Sequence, residues 1–236
     1  MAIYRIYPEK DTYINSKPTV AGLYGNAGLD EILEIAGYPD PTDAAIGRTN
    51  RTLIQFRTTD IANAVDNIIT GSISASIHLS LANASELPAS YTINAYPISQ
   101  SWNMGTGRFA NSPETQNGAS WIWRDYQGGI KWTTSSFAAG STGSYSSSVD
   151  PGGATWYVTQ SLSGSQLFTY YGDKDVNINV TNIISKWYSG SIPNNGFIVK
   201  QQDEFINDED TQPKLKYFSS SIFLIFSLLF SRLHLV

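Results

Sequence analysis

Alternation of apolar and polar residues is the clearest pattern along this chain. Residues 72–81 hold five apolar residues that alternate with four serines and one histidine. A period of two over this length predicts a β-strand with one face in a core and the other in water. Shorter stretches of the same kind predict eight more strands. They lie at residues 4–7, 11–15, 31–35, 52–56, 91–98, 155–159, 176–180 and 197–201.

Two segments show helical spacing instead. In residues 59–71, apolar side chains fall at i, i+4, i+7 and i+8 between a Thr-Asp start and a glycine. Residues 181–190 repeat this arrangement, with Thr181 as the predicted cap and Gly190 as the stop. We expect both short helices to cover an open edge or end of the β-structure.

Many short strands separated by Gly, Pro and Asn indicate an all-β fold, an antiparallel β-sandwich of the jelly-roll type. A chain of 236 residues can bury one sizeable core. No low-complexity linker divides it, so we expect a single domain over residues 1–217.

Residues 103–153 form a long insertion in this pattern, rich in glycine and serine. With Trp102 and Trp156 at its borders, it encloses five of the six tryptophans. Loops of this length are usually functional or disordered, and the aromatic density argues against disorder. We therefore expect an ordered, functional insertion.

Residues 218–236 depart from the alternation. The segment LKYFSSS begins like one more strand, but IFLIFSLLF follows, which is shorter than the roughly 20 apolar residues of a membrane-spanning helix. We expect an anomalous hydrophobic tail after about Ser220, from a frameshifted or truncated last strand. A missing strand would leave a sheet edge able to pair with another chain.

Composition narrows the function. The net charge is −5, and the 15 Lys and Arg residues are spread along the chain, which disfavours nucleic-acid binding. The sequence predicts no long amphipathic helix of the kind that binds a membrane surface. Cysteine is absent, so disulfides and thiolate metal sites are excluded. The first residues, MAIYRIYPEK, lack the pattern of a signal peptide.

A series of motifs resembles a known family. In order, they are DTYI, N-x-G, RTLIQF followed by TDI, Trp102 after a strand, and DVNINVTNIISKW with NNGFIVK. This order is similar to the DNRLRE-type jelly-roll domain, which is also counted among carbohydrate-binding modules as family 96. The resemblance covers most of residues 1–217.

A narrower resemblance concerns YRIYPEKDTYI, NAGLDEILEIAGYP, WTTSSFA and IPNNGFIVK. These segments are similar to structural proteins of large tailed phages that infect marine bacteria such as cyanobacteria. In those proteins the segment after LKYFS continues into a last strand. The resemblance implies a virion protein that is assembled in the host cytoplasm, without a cofactor.

Aromatic residues are the candidate binding groups. On an extended segment Trp121 and Trp123 share one side, where flat rings can stack on sugars. Tyr126 and Trp132 would extend that platform, with Arg124, Asp125 and Gln127 as hydroxyl partners. The alternatives are that these tryptophans pin the loop to the sandwich or pack against another subunit, and the usual burial of large aromatics favours these alternatives over sugar binding. Trp102 and Trp187 are expected in the core.

Carboxylates are the candidate catalytic or metal-binding groups. Asp203 and Glu204 could flank a glycosidic bond, but nothing in the sequence fixes their separation. Asp208, Glu209 and Asp210 resemble a solvated acidic loop. Structural calcium bound by Asp208 and Asp210 is one hypothesis, although the calcium-loop spacing is missing.

Histidine is too scarce for most catalytic arrangements. His78 lies on the polar face of a predicted strand and His234 in the tail, so neither a Ser-His-Asp triad nor a zinc site is expected. We expect no catalytic residues.

Two hypotheses of function remain. The first is a non-catalytic phage virion protein that contacts other virion proteins or itself, with adhesion to host polysaccharide as an added role. The second is a free or cell-surface carbohydrate-binding module. A polysaccharide-degrading enzyme that uses Asp203 or Glu204 is a weaker third hypothesis.

Overall fold

The computed structural model describes residues 3–16, 25–38, 48–68, 73–133, 143–146, 151–157, 162–204 and 212–228. Antiparallel β-strands dominate these residues. The strands are β1 Ile3–Ile6, β2 Lys10–Asn15, β3 Ile32–Tyr38, β4 Arg48–Gln55, β5 Ile73–Leu79, β6 Leu81–Ser85, β7 Ser90–Pro97, β8 Trp123–Asp125, β9 Ile130–Lys131, β10 Gly143–Ser146, β11 Pro151–Trp156, β12 Gly164–Thr169, β13 Val176–Asn179, β14 Phe197–Gln201, β15 Lys214–Phe218 and β16 Phe223–Leu228. The helices are α1 Thr58–Asn63 and α2 Thr181–Tyr188.

The strands form two large sheets and two small hairpins. One sheet has the order β1-β16-β5-β13. The other has eight strands in the order β12-β7-β14-β4-β3-β15-β6, with β2 paired to β4. The hairpins are β8-β9 and β10-β11. The all-β, sandwich-like prediction is confirmed at this level.

Each strand of the four-stranded sheet is followed or preceded closely by a strand of the eight-stranded sheet. The pairs are β1 with β2, β5 with β6, β12 with β13, and β15 with β16. The predicted strand over 72–81 is therefore two strands, because the chain changes sheets at Ser80. Ser72 itself lies outside the described residues.

The side chain of Gln166 joins the two sheets where β12 approaches β13. Its amide nitrogen donates to the Asp175 carbonyl over 3.1 Å, and its oxygen accepts from the Asn177 backbone N–H over 2.6 Å. The two hydrogen bonds of this side-chain amide therefore connect β12 to β13, in place of backbone hydrogen bonds between the two strands.

Successive residues of the central strands enter two different cores. In β4, Ile54 packs into the core between the two large sheets, while Leu53 packs into a second core on the opposite face. In β14, Val199 and Ile198 divide in the same way. The central strands of the eight-stranded sheet are thus buried on both faces, and tryptophans dominate the second core.

The two helices lie near each other over the main core. Ile183, Ile184 and Trp187 of α2 are buried there, and Gly190 ends the helix with φ +70°, as its position predicts. Thr181 is not a cap, because its hydroxyl oxygen accepts from the Ala75 backbone N–H over 2.9 Å and so joins the helix to β5. Helix α1 continues as a π-turn at Ala64–Ile68.

Residues 223–228 form an inner strand, whereas the sequence predicted a tail outside the domain. Strand β16 pairs with β1 on one side and β5 on the other. Leu224 and Phe226 are fully buried in the main core. Alternation was hidden because outward-facing Phe223 and Ile225 are also apolar. The sheet therefore extends beyond residue 217, while the frameshift hypothesis stays a prediction.

The first prediction concerns this strand. Leu224→Ala should lower the free energy of unfolding by about 2–5 kcal/mol, because it opens a cavity in a fully buried site. Ile225→Ala, on the half-buried outer face, is the matched control and should have a smaller effect. Urea unfolding of both variants measures the difference. Equal effects would contradict the burial of Leu224 in the main core.

Candidate functional site

Trp121 and Trp132, two of the predicted stacking residues, lie in the second core. They are 3% and 2% exposed, and the Trp132 indole N–H donates to the Ser120 carbonyl over 3.0 Å. Strand β8 begins only at Trp123, so Trp121 does not share that strand with it. Neither buried ring has a free face for a sugar. Both instead anchor the segment to the sheet, as Trp102 does at 4% exposure.

Trp123 and Tyr126 remain partly exposed on the β8-β9 hairpin. Their ring centroids are 5.3 Å apart with the ring planes at 75°, an edge-to-face pair. The Lys131 ammonium lies over the Trp123 ring, 5.0 Å from its centroid. We call Trp123, Tyr126 and Lys131 the hairpin patch.

Arg124 and Asp125 hold the hairpin in place. The Arg124 guanidinium donates to the Ser101 carbonyl over 2.7 Å, and the Asp125 carboxylate accepts from the Gly128 backbone N–H over 3.0 Å. Both side chains are thus engaged in local structure. Gln127 is exposed beside them. Of the predicted platform, the structure keeps only Trp123 and Tyr126 together at the surface.

Arg51 is a buried cation in the second core. It is 1% exposed, and its guanidinium carbon lies 4.7 Å from the Trp121 ring centroid and 5.1 Å from that of Trp156. Glu204 accepts two hydrogen bonds from it, over 2.8 Å at Nε and 2.6 Å at the terminal nitrogen. This two-point geometry is the strongest form of an Arg–carboxylate pair.

Glu204 also serves a second cation. The Lys200 ammonium lies 3.1 Å from its carboxylate, and the Thr49 hydroxyl donates to it over 3.3 Å. Burial lowers the pKa of Lys200, and the charge of Glu204 opposes that shift. Arg51 further donates to the Gly153 carbonyl. One carboxylate therefore ties β4, β14 and the tryptophan layer together.

Asn26 organises the loop that runs along the sheet after Trp102. Its amide nitrogen donates to the Met104 and Ala119 carbonyls over 2.7 and 2.9 Å. Its amide oxygen accepts from the Gly107 and Gly28 backbone N–H groups over 2.8 and 3.3 Å. A Cβ atom at Gly28 would collide with the Met104 carbonyl, so the N-x-G motif fits a close backbone approach.

An open cleft of about 550 Å³ lies where the chain changes sheets. The β1-β2 connection, the residues before β3 and the turn between β15 and β16 line it. We call it the corner cleft. Its lining residues are Pro8, Glu9, Lys10, Asp11, Gly28, Leu29, Asp30, Glu31, Met104, Phe218, Ser219 and Ser220.

Two carboxylates of the corner cleft are partly withdrawn from water. Burial raises the pKa of Asp11, which the hydrogen bond from Ser219 opposes. Burial also raises the pKa of Asp30, which a hydrogen bond from the Phe109 backbone N–H over 3.0 Å opposes. Lys10 donates to the Trp102 carbonyl, and burial lowers its pKa.

The other predicted chemical groups are dispersed. Asp203 is exposed, whereas the adjacent Glu204 belongs to the buried ion cluster. His78 stacks on Phe223, with ring centroids 4.5 Å apart, and its ring nitrogen shares a hydrogen bond with the Ser80 hydroxyl. Asp208, Glu209 and Asp210 lie outside the described residues, so the calcium hypothesis stays a prediction. Within the described ranges, no three His, Asp or Glu residues are grouped to hold a metal ion.

Sequence reasoning missed the residues that organise the site. Arg51 and Glu204 are 153 positions apart, and no local motif pairs them. Strand alternation alone could have placed Arg51 on the same face as Leu53. For Asn26 a usable signal existed, since an asparagine among glycines favours tight backbone turns.

Comparison with known proteins gives no assignment. No family model matches this chain, and no curated protein matches it. Among the described residues, no helix is both long and apolar enough to cross a bilayer.

The second prediction tests the ion cluster. Glu204→Gln should lower the free energy of unfolding by about 3 kcal/mol, because it leaves Arg51 and Lys200 buried without their counter-ion. Asp203→Asn, next to it but exposed, should change that free energy by less than about 0.5 kcal/mol. Chemical denaturation measures both. A neutral Glu204 variant would contradict the buried cluster.

The third prediction uses the pKa of Asp11. Because its folded-state pKa is raised above 3.8, the protonated form is favoured by folding and stability is lost as pH rises through the folded pKa. Asp11→Asn should therefore melt at a higher temperature than wild type at pH 7, and the gap should close towards pH 3. Melting curves across this range measure it. A gap that widens at low pH would contradict the assignment.

Proposed function

We propose that this chain is a non-catalytic structural protein of a phage particle, with adhesion to surface polysaccharide as an added role. The proposal follows the motif resemblance and the form of the tryptophan-rich segment. One observation carries it: four tryptophans, Trp102, Trp121, Trp132 and Trp156, are buried as anchors, which holds the hairpin patch rigidly at the surface. Rigid aromatic side chains are typical of contact sites in protein interfaces and of sugar-binding surfaces.

The finer fold assignment belongs to the same proposal. We infer a jelly roll of the DNRLRE type, a single domain with the aromatic segment as an insertion. The close succession of strands from one sheet to the other at four places supports this inference.

The proposal that the protein is non-catalytic rests on the burial and the partners of Glu204. Glu204 is 6% exposed, its two oxygen atoms accept hydrogen bonds from Arg51, and one of them lies 3.1 Å from the Lys200 ammonium. A catalytic carboxyl group must come within hydrogen-bond reach of the substrate. Glu204 therefore suits a structural role better than glycoside hydrolysis.

Partners follow from the charge and the sheet edges. Within the described part of the chain, strand β1 pairs with β16 alone, and Ile3 in β1 and Tyr7 just after it are 55% and 60% exposed. Such an edge supports contact with other virion proteins or with a second copy. A net charge of −5 argues against a nucleic-acid partner.

The alternative is a free or cell-surface carbohydrate-binding module. The same hairpin patch supports it, because a half-buried Trp–Tyr pair can stack on a sugar ring whatever the protein is attached to.

The fourth prediction separates these functions. Mass spectrometry of purified phage particles should find this protein in stoichiometric amounts, and particles carrying Trp123→Ala should attach more slowly to host cells. Tyr171→Ala, at the 96% exposed tip of another turn, is the control and should leave attachment unchanged. Absence from the particle, with secretion or display on a cell surface, would support the carbohydrate-binding module and contradict the virion protein.

A further inference from the structure

The corner cleft has the size and the mixed lining of a ligand site. Its volume of about 550 Å³ lies within the range of small-molecule sites, which usually combine apolar walls with a few convergent polar groups. Phe218 and Leu29 are apolar walls with 45% and 44% of their surface exposed. Aromatic and aliphatic surfaces of this kind match the C–H faces of a sugar ring.

The carboxylate groups of the cleft are hydrogen-bond acceptors. The two oxygen atoms of Asp11 accept from the Ser219 hydroxyl over 3.2 and 3.0 Å, and Asp30 accepts from the Phe109 backbone N–H and the Tyr13 hydroxyl. A carboxylate has about four acceptor positions, so each retains capacity for further donors. Vicinal hydroxyl groups supply such donors in pairs.

The walls are fixed before any ligand arrives. The Ser219 backbone N–H donates to the Glu31 carbonyl over 3.0 Å, and the Leu29 N–H donates to the Gly107 carbonyl over 2.8 Å. The Glu9 N–H donates to the Gln55 carbonyl over 2.8 Å. Backbone bonds therefore hold three sides of the cleft, which reduces the entropy lost on binding.

Charge decides the class of sugar. Four carboxylates, Glu9, Asp11, Asp30 and Glu31, line the cleft beside one ammonium, that of Lys10. Glu9 and Glu31 have arginine partners, at 3.8 Å in Arg57 and 3.3 Å in Arg108. Asp11 and Asp30 have no salt bridge among the described residues. Their negative charge repels uronate or sulfate groups.

We propose that the corner cleft binds a neutral saccharide, with a ring on Phe218 and hydroxyl groups on Asp11 and Asp30. This inference deepens the polysaccharide adhesion of the proposed function and rests on that part of it alone. It places a saccharide contact in the cleft in addition to the one proposed for the hairpin patch.

The test titrates the purified full chain with cellopentaose, maltopentaose, xylopentaose and mannopentaose, and with pentagalacturonate as the anionic comparison. Amide chemical shifts and calorimetry follow binding. At least one neutral pentasaccharide should shift the amides of Gly28 and Ser219. Pentagalacturonate should bind more weakly.

Two variants locate the ligand. Phe218→Ala should weaken binding about tenfold through the lost stacking surface. Asp11→Asn, which keeps the shape of the side chain, should weaken binding as well. Melting curves show that each variant is folded, and Tyr171→Ala is the matched aromatic control with unchanged affinity.

Three results would overturn the inference. The first is that no neutral pentasaccharide binds, and the second is that pentagalacturonate binds as tightly as the neutral sugars or more tightly. The third is that binding persists in both cleft variants but is lost in Trp123→Ala. The virion assignment is judged separately. A protein found in particles that binds none of these sugars contradicts the cleft and the adhesion, whereas a sugar-binding protein absent from particles contradicts only the virion role.

Discussion

The structure depends on burial of both faces of the central strands of the eight-stranded sheet. Because side chains alternate across a strand, β2, β4 and β14 must supply apolar residues at successive positions, one set for each core. Between the sheets, aliphatic and aromatic side chains fill an ordinary sandwich interior. On the other face, four tryptophans form a second core with Ile14, Leu53 and Ile198. The surface hairpin and the loop after Trp102 rest on this second core.

A buried ion cluster lies against the tryptophans of the second core. Arg51 stacks between Trp121 and Trp156 and binds Glu204, which also faces Lys200. Burying charges is unfavourable unless they are paired and hydrogen-bonded. The arrangement is therefore satisfied only when Glu204 and the tryptophan layer are both in place, which links the ordering of the layer to that of the sheet. Carboxylates with shifted pKa values lie elsewhere, at the corner where β1 and β15 pass to their partner strands.

Much of the fold could be predicted from the sequence, because one-sided burial leaves a period of two. Residues 176–180 are an example, and the structure has a strand at Val176–Asn179 in which alternate residues are buried. Strand β16 was missed because its outer face carries Phe223 and Ile225, which erases the alternation. The site was harder to predict, since exposure decides whether a tryptophan binds or supports. Trp121 and Trp123 look equivalent in sequence, but only the second reaches the surface. Contacts between distant residues, such as Arg51 with Glu204, leave no local pattern.

The central claim is that tryptophans form a second core and that one of them stays at the surface. Hydroxyl-radical footprinting of the native protein, read for each tryptophan by mass spectrometry, tests it directly. The account predicts that Trp123 is oxidised readily, while Trp102, Trp121, Trp132, Trp156 and Trp187 are protected until the protein unfolds. Oxidation of Trp121 and Trp132 at the rate of Trp123 in the folded protein would contradict it.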